Sequence, residues 1–225
     1  MKILFEHKIL EFDKKKFDFD LILKDLFGVK ELEKLHLENT SDNGIKPISK
    51  DTHTFAHKAF YNKINSGWPY FENLYKSFVN EFVLNALGKE RVYYQTFPNF
   101  RISFPGNVAV STWHKDSDAE NLHPKGEINF FLPVTKSFDT NTIWIESKPD
   151  KNDFKPINMK FGEVFIFNGG ECTHGNKTNY TGSTRISFDF RIMPLENYNP
   201  GYKERTRTKN LEFKPGQYYS DTSYE

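Results

Sequence analysis

His114 and Asp116 stand two residues apart in the stretch 112–118, Thr-Trp-His-Lys-Asp-Ser-Asp. On a strand, side chains at i and i+2 share a face, so an imidazole nitrogen and a carboxylate oxygen would project into one space. Sixty residues on, His174 follows the apolar run Val164-Phe165-Ile166-Phe167 and can supply a third donor. Two imidazoles and a carboxylate on one side of an ion, with the other positions open, form the facial triad of a non-haem iron(II) site. A lone His-x-Asp pair is ordinary surface polarity in many chains. The distant histidine is what makes it a metal hypothesis.

A second group lies on residues 184–192, Thr-Arg-Ile-Ser-Phe-Asp-Phe-Arg-Ile, which alternate strictly. Arg185, Ser187, Asp189 and Arg191 fall on one face; Ile186, Phe188, Phe190 and Ile192 fall on the other. An arginine fork beside a hydroxyl suits a carboxylate, because its planar donors engage both oxygens with charge-assisted bonds. The plain alternative is a polar strand face turned to water. Arg191 shares the face of Arg185 and is the second choice for a carboxylate anchor. Arg101 and Asn129 sit on other strand-like runs that could line the same pocket.

Residues so far apart in sequence need a rigid frame, and the pattern supplies one. A weak opening strand is expected within 2–12, a helix over 18–27 stopped by Gly28, and a loop over 41–51 marked by Asn-Gly and Lys-Pro. Residues 30–37 fit helix or strand equally well. Residues 52–65 read as a helix, and Trp68-Pro69 opens another that carries Phe71, Leu74, Phe78 and Phe82 on one stripe before Gly88. After Gly88 the runs are short and β-like: 92–97, 100–104, 107–113, 127–134, 142–147, 163–167 and 184–193, with Pro and Gly between them. Such spacing suggests a sandwich or barrel backed by the earlier helices. Residues 196–225 read as an extended arm carrying Lys203, Arg205, Arg207 and Lys209 among tyrosines. The loop 117–125, with His123, is placed to cover a substrate. Trp113 and Trp144 read as core filler, and His36, His53 and His57 as histidines outside the triad.

Composition narrows the rest. The chain has 225 residues, enough for one full core, and 31 basic against 30 acidic residues give a formal charge of +1. No overall field favours nucleic acid or an anionic membrane, although the basic arm leaves a nucleic-acid or protein substrate as an alternative. The single cysteine, Cys172, excludes an internal disulfide and suits a reducing, cytoplasmic setting. No apolar run approaches membrane-spanning length. The arm could reach a neighbouring subunit, so a homo-oligomer is also anticipated.

Taken together, His114-Lys-Asp116, then His174, then Arg185-Ile-Ser187 resemble in order and spacing the His-x-Asp…His…Arg-x-Ser pattern of the 2-oxoglutarate- and Fe(II)-dependent oxygenases. The run Lys160-Phe-Gly-Glu-Val-Phe-Ile-Phe-Asn168 is similar to the strand that delivers that family's second histidine. Within the family, Glu127-Ile-Asn-Phe-Phe-Leu-Pro-Val134 and Thr142-Ile-Trp-Ile-Glu-Ser147 look most like oxygenases associated with streptomycin biosynthesis. The resemblance, over residues 100–193, implies a mainly β (α+β) fold: a double-stranded β-helix, or jelly roll, with N-terminal helices packed on one sheet. It implies one domain, 1–225, with a helical buttress at 1–90, the jelly-roll core at 91–195 and the arm at 196–225.

It further implies that His114, Asp116 and His174 hold Fe(II), and that Arg185 and Ser187 bind the distal carboxylate of 2-oxoglutarate, with Asn129 and Arg101 as further pocket residues. Dioxygen is the second co-substrate. The expected reaction hydroxylates a small polar metabolite and releases succinate and carbon dioxide. In related halogenases a small residue replaces the carboxylate, so Asp116 favours hydroxylation, desaturation or ring chemistry. The rival is a metal-binding jelly-roll protein without turnover. The classical cupin pattern fails because Asp116 stands where a second histidine belongs, and no His-Glu-x-x-His motif is present.

Overall fold

The computed structural model describes residues 6–38, 50–110 and 113–223. The start of the anticipated opening strand, the loop at 41–49 and Thr112 lie outside them.

The chain opens with strand β1 (Lys8–Glu11) and helix α1 (Phe19–Phe27). Gly28 stops α1 with φ 67°, a left-handed conformation that returns its N–H to the Lys24 carbonyl and is cheap only for glycine. The stretch that fitted helix or strand equally is a 3-10 helix, Leu32–Glu38. Helix α2 (Phe55–Asn65) starts where the Thr54 hydroxyl accepts the His57 N–H at 3.1 Å. Pro69 opens α3 (Pro69–Ser77), whose direction continues through a π-helical turn, Phe78–Val83, into α4 (Leu84–Leu87). The expected single helix is thus widened at its centre. That turn lets Phe78, Val79 and Val83 all be fully buried.

Ten strands lie among the described residues, and every pairing within the two sheets is antiparallel. They are β1, β2 (Val92–Gln95), β3 (Asn99–Ser103), β4 (Ile128–Pro133), β5 (Ile143–Ile145), β6 (Lys155–Pro156), β7 (Glu163–Phe167), β8 (His174–Asn176), β9 (Arg185–Pro194) and β10 (Tyr219–Asp221). The larger sheet runs β1-β7-β4-β9-β2-β10, with β3 also paired to β9; the smaller runs β6-β5-β8. The anticipated strand over 107–113 is absent among its described residues, where His114 makes only an isolated bridge to His174.

Period-two alternation in the large sheet separates two environments. Ile186, Phe188, Phe190 and Ile192 of β9, Phe130 and Leu132 of β4, and Val164 and Ile166 of β7 face the helices in one apolar cluster. Phe60 of α2 stacks on Phe100 of β3 at 4.4 Å, and Phe71 of α3 meets Phe188 at 5.3 Å. The opposite face carries Phe131, Phe165 and Phe167, which pack with Ile143 and Ile145 of the smaller sheet. Both faces of β4 and β7 are covered, so these two strands read as nearly continuous apolar runs. The fold is a mixed α/β arrangement in which helices back one antiparallel sheet. No helix among the described residues is long and apolar enough to cross a membrane.

The arm departs from expectation. Its β10 pairs with β2, and Phe213, Tyr218 and Tyr219 join Met193 in a third apolar cluster. A run rich in tyrosine and phenylalanine lowers its free energy by covering the sheet edge rather than extending into water.

Candidate metal centre and its cavity

The sixty-residue gap between the two histidines is closed by backbone bonding. The His114 N–H donates to the His174 carbonyl at 3.0 Å, and the His174 N–H returns the bond at 3.0 Å. Facing residues of an antiparallel bridge present their side chains on one side, and the two imidazole centroids lie 4.5 Å apart. Two residues on, the Asp116 N–H donates to the Gly169 carbonyl at 2.8 Å. Asp116 Oδ1 then sits 3.4 Å from His114 Nε2 and 3.8 Å from His174 Nε2. One donor atom from each residue lies within 4.8 Å of the others. Donors about 2.1 Å from an ion and at right angles are about 3 Å apart, so a small inward movement completes the set.

Two of the three donors, His174 and Asp116, are prepared for a cation. His174 Nδ1 lies 3.1 Å from the Cys172 carbonyl, which can only accept, so Nδ1 carries the proton and Nε2 keeps its lone pair. Burial lowers the pKa of His174, though Asp116 opposes it, which favours the neutral imidazole that binds metals. For Asp116, burial alone would raise the carboxyl; Arg191 and the two imidazoles reverse this and hold it well below the usual carboxylate range. Its second oxygen, Oδ2, accepts from Asn129 Nδ2 at 2.6 Å and from Arg191 Nε at 2.9 Å. Oδ1 is thereby left for the ion. The donor set fits a divalent transition metal held on one face.

Arg191 is therefore not a free carboxylate anchor, as its strand face alone had allowed. It is committed to Asp116, and its Nη1 also reaches Gln95 Oε1 at 3.4 Å. Gln95 in turn accepts from the Tyr218 hydroxyl at 2.9 Å, so the arm reaches the candidate metal carboxylate through a chain of three side chains. Arg101 is likewise engaged: its Nε donates to Asp189 at 2.8 Å. It lines the cavity, but as half of an ion pair.

Arg185 differs from both. It is 1% exposed, and among the described residues no carboxylate forms an ion pair with it. Its Nε donates to the Asn141 carbonyl at 2.9 Å and its Nη1 to the Ser187 hydroxyl at 2.7 Å. Burial pushes its pKa down to about 10, with Asp51 opposing. Ser187 is fully buried and braces Arg185 in this structure rather than lining the cavity. Arg185, Asn129 and the triad all border one cavity of about 690 Å³, within the usual range for small-molecule sites.

Asn129 is placed as a brace as much as a wall. Its Oδ1 accepts the Gly169 N–H at 3.0 Å while its Nδ2 holds Asp116. A Cβ on Gly169 would lie 2.7 Å from the Asn129 amide. Asn129→Ala and Gly169→Ala are each expected to weaken metal binding about 10- to 100-fold, as loss of an outer partner generally does. Because both act on one contact, the double variant should be little worse than either single, measured by competitive metal titration.

The sequence reading missed much of the remaining wall. Residues 206–209 of the arm border the cavity, and the Arg207 guanidinium donates to the carbonyls of Glu120 and Ala119 at 2.8 and 2.9 Å. The loop 117–125 is tied down accordingly, with the Tyr202 hydroxyl donating to Leu122 at 3.0 Å and His123 Nδ1 2.8 Å from Glu127. Trp113 and Trp144 are not core filler. Trp113 is 40% exposed against Phe154, and the Trp144 ring lies under the Lys177 ammonium. Cys172 is buried, which pushes its thiol up to about 12.

His57 also lines the cavity, its ring tilted against Tyr61 with centroids 4.5 Å apart. Burial first and Arg101 second push its pKa down to about 4. An unfolded imidazole takes up its proton near ~6.5. Between those values the unfolded chain holds the extra proton, so stability falls as pH falls through the window. Urea midpoints recorded from pH 7 to 4.5 should fall less steeply in His57→Gln.

Comparison with known proteins gives the class first. The chain superposes on a non-heme monooxygenase, ThoJ, in a nickel complex, with TM-score 0.50 and 12% identity over 83% of this chain and 73% of that one. It superposes on SnoK, a non-heme alpha-ketoglutarate-dependent carbocyclase from nogalamycin biosynthesis, with TM-score 0.52 and 9% identity over 84% and 80%. At such identities the likeness is one of fold, shared with non-haem oxygenases, and the site on that fold could hold a metal. A comparison with protein-family profiles finds no match. The chain is 30% identical over 200 residues to the streptomycin biosynthesis protein StrG of Streptomyces griseus, across 88% of this chain and 89% of that protein. It belongs to the family of that protein.

Proposed function

We propose that the chain is a 2-oxoglutarate- and Fe(II)-dependent dioxygenase acting on a small polar metabolite. In this reading it forms one catalytic domain, the two sheets make a double-stranded β-helix, and Fe(II) is held by His114, Asp116 and His174. The observation that carries the proposal is Arg185: a buried guanidinium without a carboxylate partner, facing the cavity that holds the triad. Taking a cation out of water costs several kcal/mol unless an anion meets it. A dicarboxylate reaching from the metal to Arg185 would supply that anion.

Bound Fe(II) would supply the dioxygen activation that couples decarboxylation of 2-oxoglutarate, to succinate and carbon dioxide, with oxidation of a substrate C–H bond. The chain's own contribution is placement. Arg191 neutralises Asp116, so the charge of a bound divalent ion stays largely uncompensated and attracts a dianion. Ser187 and the Asn141 carbonyl aim the Arg185 fork. Phe131 and Phe167, buried beside them, keep water from that end of the cavity. The StrG relationship supports a natural-product intermediate as the substrate.

The test is calorimetric titration of 2-oxoglutarate into protein loaded with Mn(II), followed by measurement of succinate from the Fe(II) form in air. Binding that needs the metal, together with succinate release, is the expected result. No binding to the metal-loaded protein overturns the reading. Binding without succinate across a broad substrate panel would favour the metal-binding protein without turnover.

A further inference from the structure

We infer that the primary substrate carries a phosphate monoester, bound by Arg207 and Lys209 of the C-terminal arm; this rests on the oxygenase reading for the identity of the cavity's other occupants. The argument is one of charge. Five cationic residues border the cavity, Arg101, Arg185, Arg191, Arg207 and Lys209, against two carboxylates, Asp116 and Asp189. Arg191 is matched by Asp116, and Arg101 by Asp189 at 2.8 Å with Asp51 at 3.8 Å. Arg185 is reserved for the co-substrate. Arg207 and Lys209 remain.

Neither has a carboxylate among the described residues. Arg207 spends Nε and Nη2 on two backbone carbonyls, which fixes the guanidinium and leaves Nη1 without a hydrogen bond among the described residues. Of the loop acids, Glu120 meets Arg207 through its backbone carbonyl and forms no ion pair with it among the described residues, and Asp118 is occupied as a cap, accepting from the N–H groups of Glu120 and Asn121. By contrast Arg205, two residues before Arg207, pairs with Glu212 and does not border the cavity. The turn itself is built rather than loose. Thr206 N–H donates to the Leu211 carbonyl at 2.9 Å, Leu211 N–H donates back to the Thr206 hydroxyl at 3.0 Å, and Asn210 takes φ 53°.

A guanidinium held by two carbonyls, an exposed ammonium and the Thr208 hydroxyl all border the cavity, and such donors suit a group with three terminal oxygens and nearly two negative charges. That matches a phosphate monoester better than a single carboxylate. The cavity wall also includes neutral hydrogen-bonding side chains, Thr96, Asn99, Asn121 and Gln217. Such a wall suits a hydroxylated carbon skeleton. The class inferred is a phosphorylated sugar or cyclitol.

The experiment titrates glucose 6-phosphate and inositol 1-phosphate, beside glucose, inositol and glucuronate, into protein carrying Mn(II) and 2-oxoglutarate. At least one ester should bind about tenfold or more tighter than its parent alcohol and tighter than glucuronate, and should weaken as salt is raised. The preference should disappear in Arg207→Gln/Lys209→Gln. Lys209→Gln alone should lower it several-fold; this exposed side chain has no hydrogen bond or ion pair among the described residues, so its loss leaves folding intact. Equal binding of ester and alcohol, glucuronate binding as well as the esters, a preference that survives the double substitution, or no binding by either ester overturns the inference. The co-substrate titration separates the two readings: 2-oxoglutarate binding with no ester preference removes only this one.

Discussion

Replacing Arg185 by methionine is expected to abolish measurable 2-oxoglutarate binding while leaving the metal-free protein as stable as the parent, or more so. The guanidinium is buried, is held by one carbonyl and one hydroxyl, and has burial pressing its pKa down to about 10. An apolar side chain of similar length removes that desolvation penalty, and such exchanges are often neutral or stabilising. Binding suffers in the opposite sense. Deleting one partner of a buried, hydrogen-bonded charge pair costs about 2–5 kcal/mol, or about 30- to several-thousandfold in affinity. Calorimetry for affinity and thermal melting for stability, on the same preparation, check both halves. A loss of less than about fivefold would place the anchor elsewhere.

The second large effect separates the two ends of the triad. His174→Ala and Asp116→Ala should each lower metal affinity by about 10³-fold or more, beyond the 10- to 100-fold of the outer partners, and abolish succinate formation. Only Asp116→Ala should also destabilise the metal-free protein. It leaves Arg191, itself buried, with only the longer contact to Asp189 at 3.5 Å, and breaking its closer buried pair from one side costs about 3–5 kcal/mol. For a chain of this size that is about 6–20 °C in melting temperature. His174→Ala removes an imidazole whose side-chain hydrogen bond among the described residues is to the Cys172 carbonyl, and the backbone bonds to His114 remain. Equal melting of the two variants would show that Arg191 does not depend on Asp116.

Much of this was legible from local pattern. The strict alternation of 184–192 set Ile186 and Phe188 against the helices and Arg185 and Asp189 against the cavity, because a strand turns every second side chain the same way. The stripe from Phe71 to Phe82, the stops at Gly28 and Gly88, and the strand at 163–167 were readable for the same reason: period and turn chemistry are local. The candidate ligands were visible as residue types at a spacing.

Local pattern thus settles which face each side chain takes and which residue types could meet. Partner choice was decided only in three dimensions. Arg185 and Arg191 share one face of one strand, yet Arg191 is captured by a carboxylate 75 residues earlier, and Arg185 is left without one. Arg101, chosen as a pocket residue, proved to be paired across β3 and β9 with Asp189. The arm, read as extended, folds back because its aromatic residues find a sheet edge to cover, and that placement alone carries Arg207 and Lys209 to the cavity. Coulomb and hydrogen-bond energies depend on distance through space, and distances between residues far apart in sequence are set by how strands pair and layers pack.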